Sequence, residues 1–210
     1  MEVLTNIAQF FKHGGPIMFF ISAIAVLGFA IAVERWRFFV RAEEENRGLW
    51  QRMQPLMDQN DLAAAEQLAE RSNSAIGKIL SYGFAKSRGG AARADIENAM
   101  EERLMEVTAV LEKRTHYLAT FANVATLLGL LGTVSGLIRA FAAIASLNLS
   151  EKTNVLSLSI SEALNATAFG LLVAVPLLLL HAWLNSRGGE LVDSLEMATV
   201  KFLNRLKPQG

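Results

Sequence analysis

The residue whose chemistry is hardest to explain by helix packing alone is Glu162, near the start of an apolar run at positions 160–183. A run of this length crosses a bilayer, since about 20 apolar residues at ~1.5 Å each span a hydrocarbon core of ~30 Å. A charged side chain near the centre of a membrane costs on the order of 2.5–3.5 kcal/mol. Such a carboxylate usually faces protein or water. The position therefore indicates either ion or proton handling or a polar contact that specifies packing.

Several polar side chains accompany this carboxylate. Ser159 and Asn165 lie on its own helical face, at i−3 and i+3. Counting ~1.5 Å per residue from an outer loop centred near position 151 puts Glu162 ~17 Å deep and Arg139 ~18 Å deep. At this shared level Arg139 could pair with Glu162, within or between subunits, or its long side chain could extend towards the outer headgroups or contact a partner. The sequence leaves both interpretations open.

Two threonines form a second polar level. The same count puts Thr133 at a depth of ~27 Å and Thr167 at a depth of ~24 Å on the neighbouring helix. A hydroxyl both donates and accepts a hydrogen bond, so it can serve a carboxyl group in either protonation state. Thr167 points roughly 140° away from Glu162 around a 3.6-residue helix, so these two side chains need not touch.

Small residues recur along both helices that carry these groups. In lipid no hydrophobic force drives helices together, so small residues that let backbones approach closely promote their association. The small residues either pack helices within one subunit or line a polar conduit. The helix-packing candidates are Gly129, Gly132, Gly136, Ala166 and Gly170.

The composition excludes several functional classes. The chain has 210 residues, is 52% hydrophobic, and has a formal net charge of zero, so nothing indicates nucleic acid as a partner. The absence of Cys excludes disulfides, Cys-ligated zinc and thiol catalysis. His13, His116 and His181 lie far apart and lack metal-ligand spacing. We expect no metal and no cofactor.

Three apolar segments predict membrane spans, at 16–33, 118–146 and 155–185. The first span is followed directly by cations from Arg35 to Arg41, which places the N-terminus outside the cytoplasm by the positive-inside rule. A signal peptide carries its positive charge before the apolar region, so we expect this span to be retained. The same counting makes residues 147–154 a short outer loop and leaves the C-terminus in the cytoplasm.

The polar region after the first span predicts helices with clear boundaries. Asn60 or Asp61 is a candidate N-cap for a helix at 62–70, which Ser72 to Ser74 would end. No Pro or Gly occurs between Ala91 and Gly129, so we expect one helix to continue from this region into the second span.

The predicted fold is an all-α polytopic membrane protein with three transmembrane helices, the second and third extended into the cytoplasm. The expected division is an N-terminal segment with the first span, a cytoplasmic helical domain, the second and third spans, and a cytoplasmic C-terminal helix: residues 1–41, 42–116, 117–186 and 187–210.

An enzymatic interpretation would pair Ser135 with His181 as nucleophile and base. These groups must approach to ~2.6–3.2 Å, but simple antiparallel helices would keep them ~20 Å apart in depth. We therefore expect no enzyme. A non-conducting membrane scaffold remains an alternative, although it leaves Glu162 unexplained.

Two motifs carry a family resemblance: Leu-Leu-Gly-Thr-Val-Ser-Gly from Leu130 to Gly136, and Glu-Ala-Leu-Asn-Ala-Thr-Ala-Phe-Gly-Leu from Glu162 to Leu171. They resemble the ExbB/TolQ/MotA family of proton-channel motor subunits. The opening Gly-Gly-Pro, the following apolar run and then Glu34-Arg35 fit the same family. In having three predicted spans and not four, the chain resembles the ExbB and TolQ branch of the family. Glu162 favours ExbB, whereas Ser135 stands where that branch usually has Trp.

The resemblance implies a bacterial inner-membrane homopentamer around two copies of a single-span partner of the ExbD/TolR type. That partner would supply a proton-carrying Asp, and the complex would convert proton-motive force into work on the cell envelope. The most direct implication is energised TonB-dependent uptake, with a TonB-type protein as a further partner; a TolQ-like role in envelope integrity is the alternative. The family's polar pore residues correspond to Thr133 and Thr167, with Glu162 and Asn165 beside them, and Arg139 takes a position that is usually uncharged.

Overall fold

The computed structural model describes residues 15–144 and 149–206. All elements within these residues are helices: α1 (Ile17–Asp58), α2 (Leu62–Glu70), α3 (Ala75–Arg88), α4 (Arg93–Glu112), α5 (His116–Ile144) and α6 (Leu149–Arg205). Three helical segments are long and apolar enough to cross a membrane: Ile17–Asp58, Arg93–Ile144 and Lys152–Arg205. The prediction of an all-α polytopic membrane protein is therefore confirmed.

The chain forms two compact units. The apolar unit comprises Met1–Val33 and Arg114–Trp183, and the polar unit comprises Glu34–Lys113 and Leu184–Gly210. Helices α1 and α6 each contribute to both units.

In the apolar unit, the beginning of α1 packs against α6. A Cβ atom at Gly28 would lie 2.8 Å from a methyl carbon of Leu177, so a larger residue there would require the Leu177 side chain to shift. Met18 and Ile21 are fully buried on the same stretch of α1. Phe19 and Phe20 are 68% and 64% exposed. This unit therefore leaves large apolar side chains at its surface.

In the polar unit, short helices begin at side-chain caps. The carboxylate of Asp61 accepts a hydrogen bond from Ala64 N at 3.1 Å, and the Ser74 hydroxyl accepts one from Gly77 N at 3.2 Å. Phe202 is fully buried and meets Phe84 edge-on, with ring centroids 4.7 Å apart. Arg35, only 4% exposed, donates to the carbonyl oxygen of Leu111.

The prediction of a single helix from Ala91 into the second span is wrong. Helix α4 ends at Glu112 and α5 begins at His116, because Arg114 adopts a left-handed φ of 68°. A non-Gly residue in this region costs roughly 1–2 kcal/mol, and Asn or Asp are its usual non-Gly occupants. The turn consists of Lys113, Arg114 and Thr115, so no Gly or Pro marks it in the sequence.

Two further boundaries differ from the prediction. The predicted span at 16–33 is only the first part of a longer helix, since α1 continues to Asp58 with Pro55 in its last turn. Helix α6 already begins at Leu149, so most of the predicted outer loop at 147–154 is helical. Residues 147–148 of that loop and 145–146 of the predicted second span lie outside the described part of the chain, as does His13.

Candidate functional site

Helices α5 and α6 bring two hydroxyl groups together inside the apolar unit. Thr167 Oγ1 lies 3.3 Å from Thr133 Oγ1 and 2.8 Å from the carbonyl oxygen of Gly129. Thr133 Oγ1 in turn donates to the carbonyl oxygen of Leu130 at 2.7 Å. Both side chains are partly exposed. Thr133 and Thr167, the hydroxyl pair, therefore form one polar contact between two apolar helices.

The hydrogen bonds of the hydroxyl pair determine what it can do chemically. A hydroxyl has one proton to donate and two lone pairs with which to accept. Each proton is engaged by a backbone carbonyl, at Gly129 and at Leu130, so the oxygens remain available as acceptors. A protonated carboxylic acid brought to this site would find acceptors. Rotation of either hydroxyl would instead provide a donor for a carboxylate.

The hydroxyl pair can meet because the backbones of α5 and α6 approach closely. A Cβ atom at Gly170 would lie 2.7 Å from Ala125 O and 3.1 Å from Gly129 Cα. Real Cβ atoms are essentially never found 2.7 Å from a backbone oxygen, so the approach requires glycine at position 170. A Cβ atom at Gly129 would lie 3.2 Å from Thr167 Cα, which is a tight contact. The small residues continue along the pair, with Gly132 against Ala166 and Gly136 against Ala163.

An ion pair lies on the same two helices. Arg139 Nη2 donates to Glu162 Oε1 at 2.7 Å, and Arg139 Nε lies 3.4 Å from the carbonyl oxygen of Ser135. The Arg139 side chain is 53% exposed and that of Glu162 is 29% exposed. Of the two geometries that the sequence left open, the structure shows pairing within one chain.

Gly15 lies against this ion pair, and the sequence alone did not indicate a role for it. Its φ of +72° is in the left-handed region, and a Cβ atom there would collide with Glu162 Oε1 and lie 3.5 Å from Arg139 Nη2. The signal that could have found it is the Gly-Gly-Pro sequence immediately before the first span, where such residues typically mark a turn.

The remaining candidates do not join a common network. Asn165 is half-buried on α6, and its side chain forms no hydrogen bond with any residue that the structure describes. Ser135 uses its hydroxyl to donate to the carbonyl oxygen of Gly132 at 3.1 Å. Within the described ranges, His, Asp and Glu side chains form no cluster that could hold a metal ion. The polar contacts between α5 and α6 are therefore the hydroxyl pair and the ion pair of Arg139 and Glu162.

Comparison with known proteins identifies the family. Residues 71–197, more than half of the chain, match the model of the MotA/TolQ/ExbB proton channel family. The chain belongs to this family. The matched residues include both threonines of the hydroxyl pair and both members of the ion pair, so the site described above lies within the region that defines the family.

Individual relatives belong to the ExbB and TolQ types. The chain is 27% identical to an ExbB homologue, by name a biopolymer transport protein, of Methanothermobacter thermautotrophicus over 91% of its own length and 67% of the relative's. It is 29% identical to the Tol-Pal system protein TolQ of Haemophilus influenzae, over 87% of its own length and 82% of the relative's. It is 33% identical to an ExbB-like biopolymer transport protein of Synechocystis sp., over 87% of its own length and 72% of the relative's. The chain is therefore a multi-pass membrane subunit of the ExbB/TolQ proton-channel type.

Proposed function

We propose that this chain is the channel subunit of a bacterial inner-membrane motor that converts proton-motive force into work on the cell envelope. The observation that carries the proposal is the hydroxyl pair, in which Thr133 and Thr167 lie 3.3 Å apart between two apolar helices. Hydroxyls suit proton handling because they accept from a protonated carboxyl group and donate to an ionised one. We infer that the chain acts by proton transfer and motion and not as an enzyme.

In the proposed mechanism, the carboxyl group of a single-span partner of the ExbD/TolR type passes the hydroxyl pair. The protonated carboxyl donates to Thr133 or Thr167, whose oxygens have free lone pairs. Loss of the proton reverses the direction of the hydrogen bond, because a hydroxyl must then donate to the carboxylate. The site thereby holds both protonation states of the partner without becoming charged itself.

Glu162 and Asn165 complete the proposed pathway in different ways. Arg139 neutralises the charge of Glu162 within one chain, so we assign the ion pair the role of fixing α5 and α6 on the outer side of the hydroxyl pair. Asn165 has amide groups that no described residue engages, and it is the next polar group available to water or to the partner's carboxyl.

The proposed assembly is a homopentamer around a dimer of the single-span partner, with the N-terminus in the periplasm and the C-terminus in the cytoplasm. The orientation rests on the cations that follow the first span, and the subunit numbers rest on the family resemblance. We retain the predicted division into 1–41, 42–116, 117–186 and 187–210 as part of this proposal.

The process that we propose is TonB-dependent uptake across the outer membrane, with a TonB-type protein as a third component. The second candidate is a TolQ-like role in envelope integrity, favoured by the similarity to TolQ of Haemophilus influenzae over 82% of that relative. Expression in strains that lack either the ExbB-type or the TolQ-type subunit distinguishes the two. Restored uptake supports the first role and restored detergent resistance supports the second.

The hydroxyl pair can be tested by removing its hydrogen bonds while retaining its shape. The double variant Thr133→Val/Thr167→Val, reconstituted with the partner subunit, should lower proton flux roughly ten- to hundredfold, the loss expected for hydrogen bonds to a charged group. Thr126→Val is the matched control. Its hydroxyl on the same helix also donates to a backbone carbonyl, that of Ala122 at 3.1 Å. Wild-type flux in the double variant would refute the proposed pathway.

A further inference from the structure

The turn between α4 and α5 interrupts a stretch of chain that contains no helix-breaking residue. No Gly or Pro occurs between positions 91 and 129, yet Lys113, Arg114 and Thr115 separate the two helices. The interruption is built by Lys113, with φ −52° and ψ 133°, and by Arg114, with a left-handed φ of 68°. Arginine rarely adopts this conformation, so a contact outside the turn must stabilise the break.

Arg35 on α1 provides such a contact at the end of α4. The carbonyl oxygen of Leu111 is among the last four of α4, which have no partner within their own helix, and it accepts a hydrogen bond from Arg35 Nη2. Arg35 is 4% exposed, and its guanidinium carbon lies 4.4 Å and 4.9 Å from the ring centres of Phe38 and Phe39. A cation at this end of a helix also interacts favourably with the helix dipole.

The contact with Arg35 stabilises the broken helix more than it would stabilise a continuous one. If α4 continued into α5, the Leu111 carbonyl would accept from the backbone N–H of Thr115, four residues later. It would then need no second donor, and the helix end that attracts the cation would no longer exist. Arg35 therefore favours the break specifically.

Thr115 shows the opposite preference. It is 4% exposed, and its Oγ1 atom is buried with no hydrogen-bond partner among the residues that the structure describes. A buried hydroxyl without a partner is costly. In a helix, a Thr hydroxyl can donate to the carbonyl four residues earlier, which here is that of Leu111. A continuous helix would therefore satisfy Thr115 and would also return Arg114 to the right-handed conformation.

We propose that Lys113–Thr115 is a two-state junction and that Arg35 selects its broken state. The Arg35 hydrogen bond opposes the backbone of Arg114 and the hydroxyl of Thr115, and a few residues at the end of an element are where such changes are usually absorbed. Helix α5 carries Thr133 of the hydroxyl pair. The junction thus decides whether a rotation of α4 about its axis passes along one rigid helix or is absorbed by the turn. The two states do not depend on the proposed proton pathway.

The absence of Cys from the chain permits a test with paired spin labels. Glu112→Cys/His116→Cys labels two exposed positions on either side of the junction. In a continuous helix their Cβ atoms would lie ~5–6 Å apart, so the two nitroxides would broaden each other's EPR spectrum. Glu97→Cys/Glu101→Cys has the same spacing within α4 and gives the helical reference. Dilution with unlabelled Cys-free protein removes broadening between copies.

The junction pair should be less broadened than the reference pair when Arg35 is present. Arg35→Met removes the donor and retains an apolar stem. It should shift the equilibrium about ten- to hundredfold towards the continuous helix, the loss expected for a hydrogen bond from a charged group. Arg35→Lys, which keeps a cationic donor, should leave the spectrum close to that of the native protein. A folded Arg35→Met protein with an unchanged junction spectrum would overturn the proposal.

Glycine at position 114 should reverse the effect of Arg35→Met. It adopts the left-handed backbone without steric cost, so adding Arg114→Gly should move the equilibrium back towards the broken state about five- to thirtyfold. Arg114→Ala retains the cost and should leave the junction broadened. Equal spectra for the Gly and Ala combinations would contradict a junction that opens through residue 114.

Arg114→Gly by itself provides a test at an exposed position if Arg35→Met does not fold. It should raise the midpoint of thermal unfolding in detergent by about 2–4 °C relative to Arg114→Ala, because only glycine relieves the left-handed backbone. An Ala variant at least as stable as the Gly variant would overturn the assignment of the broken state to the native protein.

Discussion

The apolar and polar units differ in the large side chains that they leave exposed and in how their helices meet. In the polar unit, large side chains such as Leu80, Met100 and Phe202 are fully buried at the core. In the apolar unit, large side chains such as Phe20 and Ile138 are each 64% exposed. The contact between α5 and α6 is made by small residues: Ala125, Gly129, Gly132, Gly136, Ala163, Ala166 and Gly170.

The difference follows from the solvent that each unit meets. Water favours burial of large apolar side chains, because each square ångström removed from it contributes about 25 cal/mol. Lipid tails are as apolar as those side chains, so they contribute no such force between helices. Close backbone contact and hydrogen bonds, which small residues permit, must then hold the helices together. One chain therefore uses two stabilisation mechanisms.

The largest predicted effect is a loss of core volume in the polar unit. Phe202→Ala should lower the free energy of unfolding by about 3–5 kcal/mol, because it leaves a cavity against Phe84. Phe20→Ala makes the same change at an exposed position of the apolar unit and should alter the stability in detergent by less than ~1 kcal/mol. Chemical denaturation of both variants measures the difference. Equal losses would contradict the idea that the two units are stabilised differently.

A smaller effect is expected from adding one methyl group between α5 and α6. Gly170→Ala should destabilise the protein by about 1–3 kcal/mol, since the new Cβ meets backbone atoms that cannot move aside. Gly189→Ala lies on the same helix with nothing within 4 Å of the added Cβ. It should stabilise the protein by about 0.5–1 kcal/mol through reduced backbone freedom in the unfolded chain. Thermal unfolding in detergent compares the two, and a stabilising Gly170→Ala would refute the close helix contact.

The smallest predicted effect is the coupling free energy within an ion pair, compared between two pairs in different surroundings. A double-mutant cycle with Arg139→Gln and Glu162→Gln should give a coupling free energy of about 1 kcal/mol, and the second change should partly restore assembly lost by the first. Arg88 and Glu66 form the comparison pair in the polar unit, at 3.2 Å with Arg88 70% exposed. Their coupling should lie near ~0.5 kcal/mol because water screens it. Strictly additive effects at Arg139 and Glu162 would show that the pair is not energetically coupled.

Much of the fold was predictable, because helix caps and long apolar runs can be recognised in the sequence without tertiary information. The helix at Leu62–Glu70 has the predicted bounds, since Asp61 caps its start. The break at Arg114 was not predictable, because no Gly or Pro marks it and arginine rarely adopts the left-handed conformation found there. The extension of α1 to Asp58 was also missed, since its charged residues resemble a loop as much as a solvated helix face.

For the site, the sequence by itself determined the residue types, their helical faces and their levels relative to one another. Counting along two antiparallel helices was enough to set Thr133 level with Thr167, and Arg139 level with Glu162. Only the tertiary structure decided which atoms meet, because side-chain rotation and helix separation are not encoded in spacing. It directed both threonine hydroxyls to backbone carbonyls, joined Arg139 to Glu162, and brought Gly15 against that pair. These contacts depend on the close approach of the α5 and α6 backbones, which Gly129 and Gly170 permit. The distance between the two backbones is set only when the helices pack.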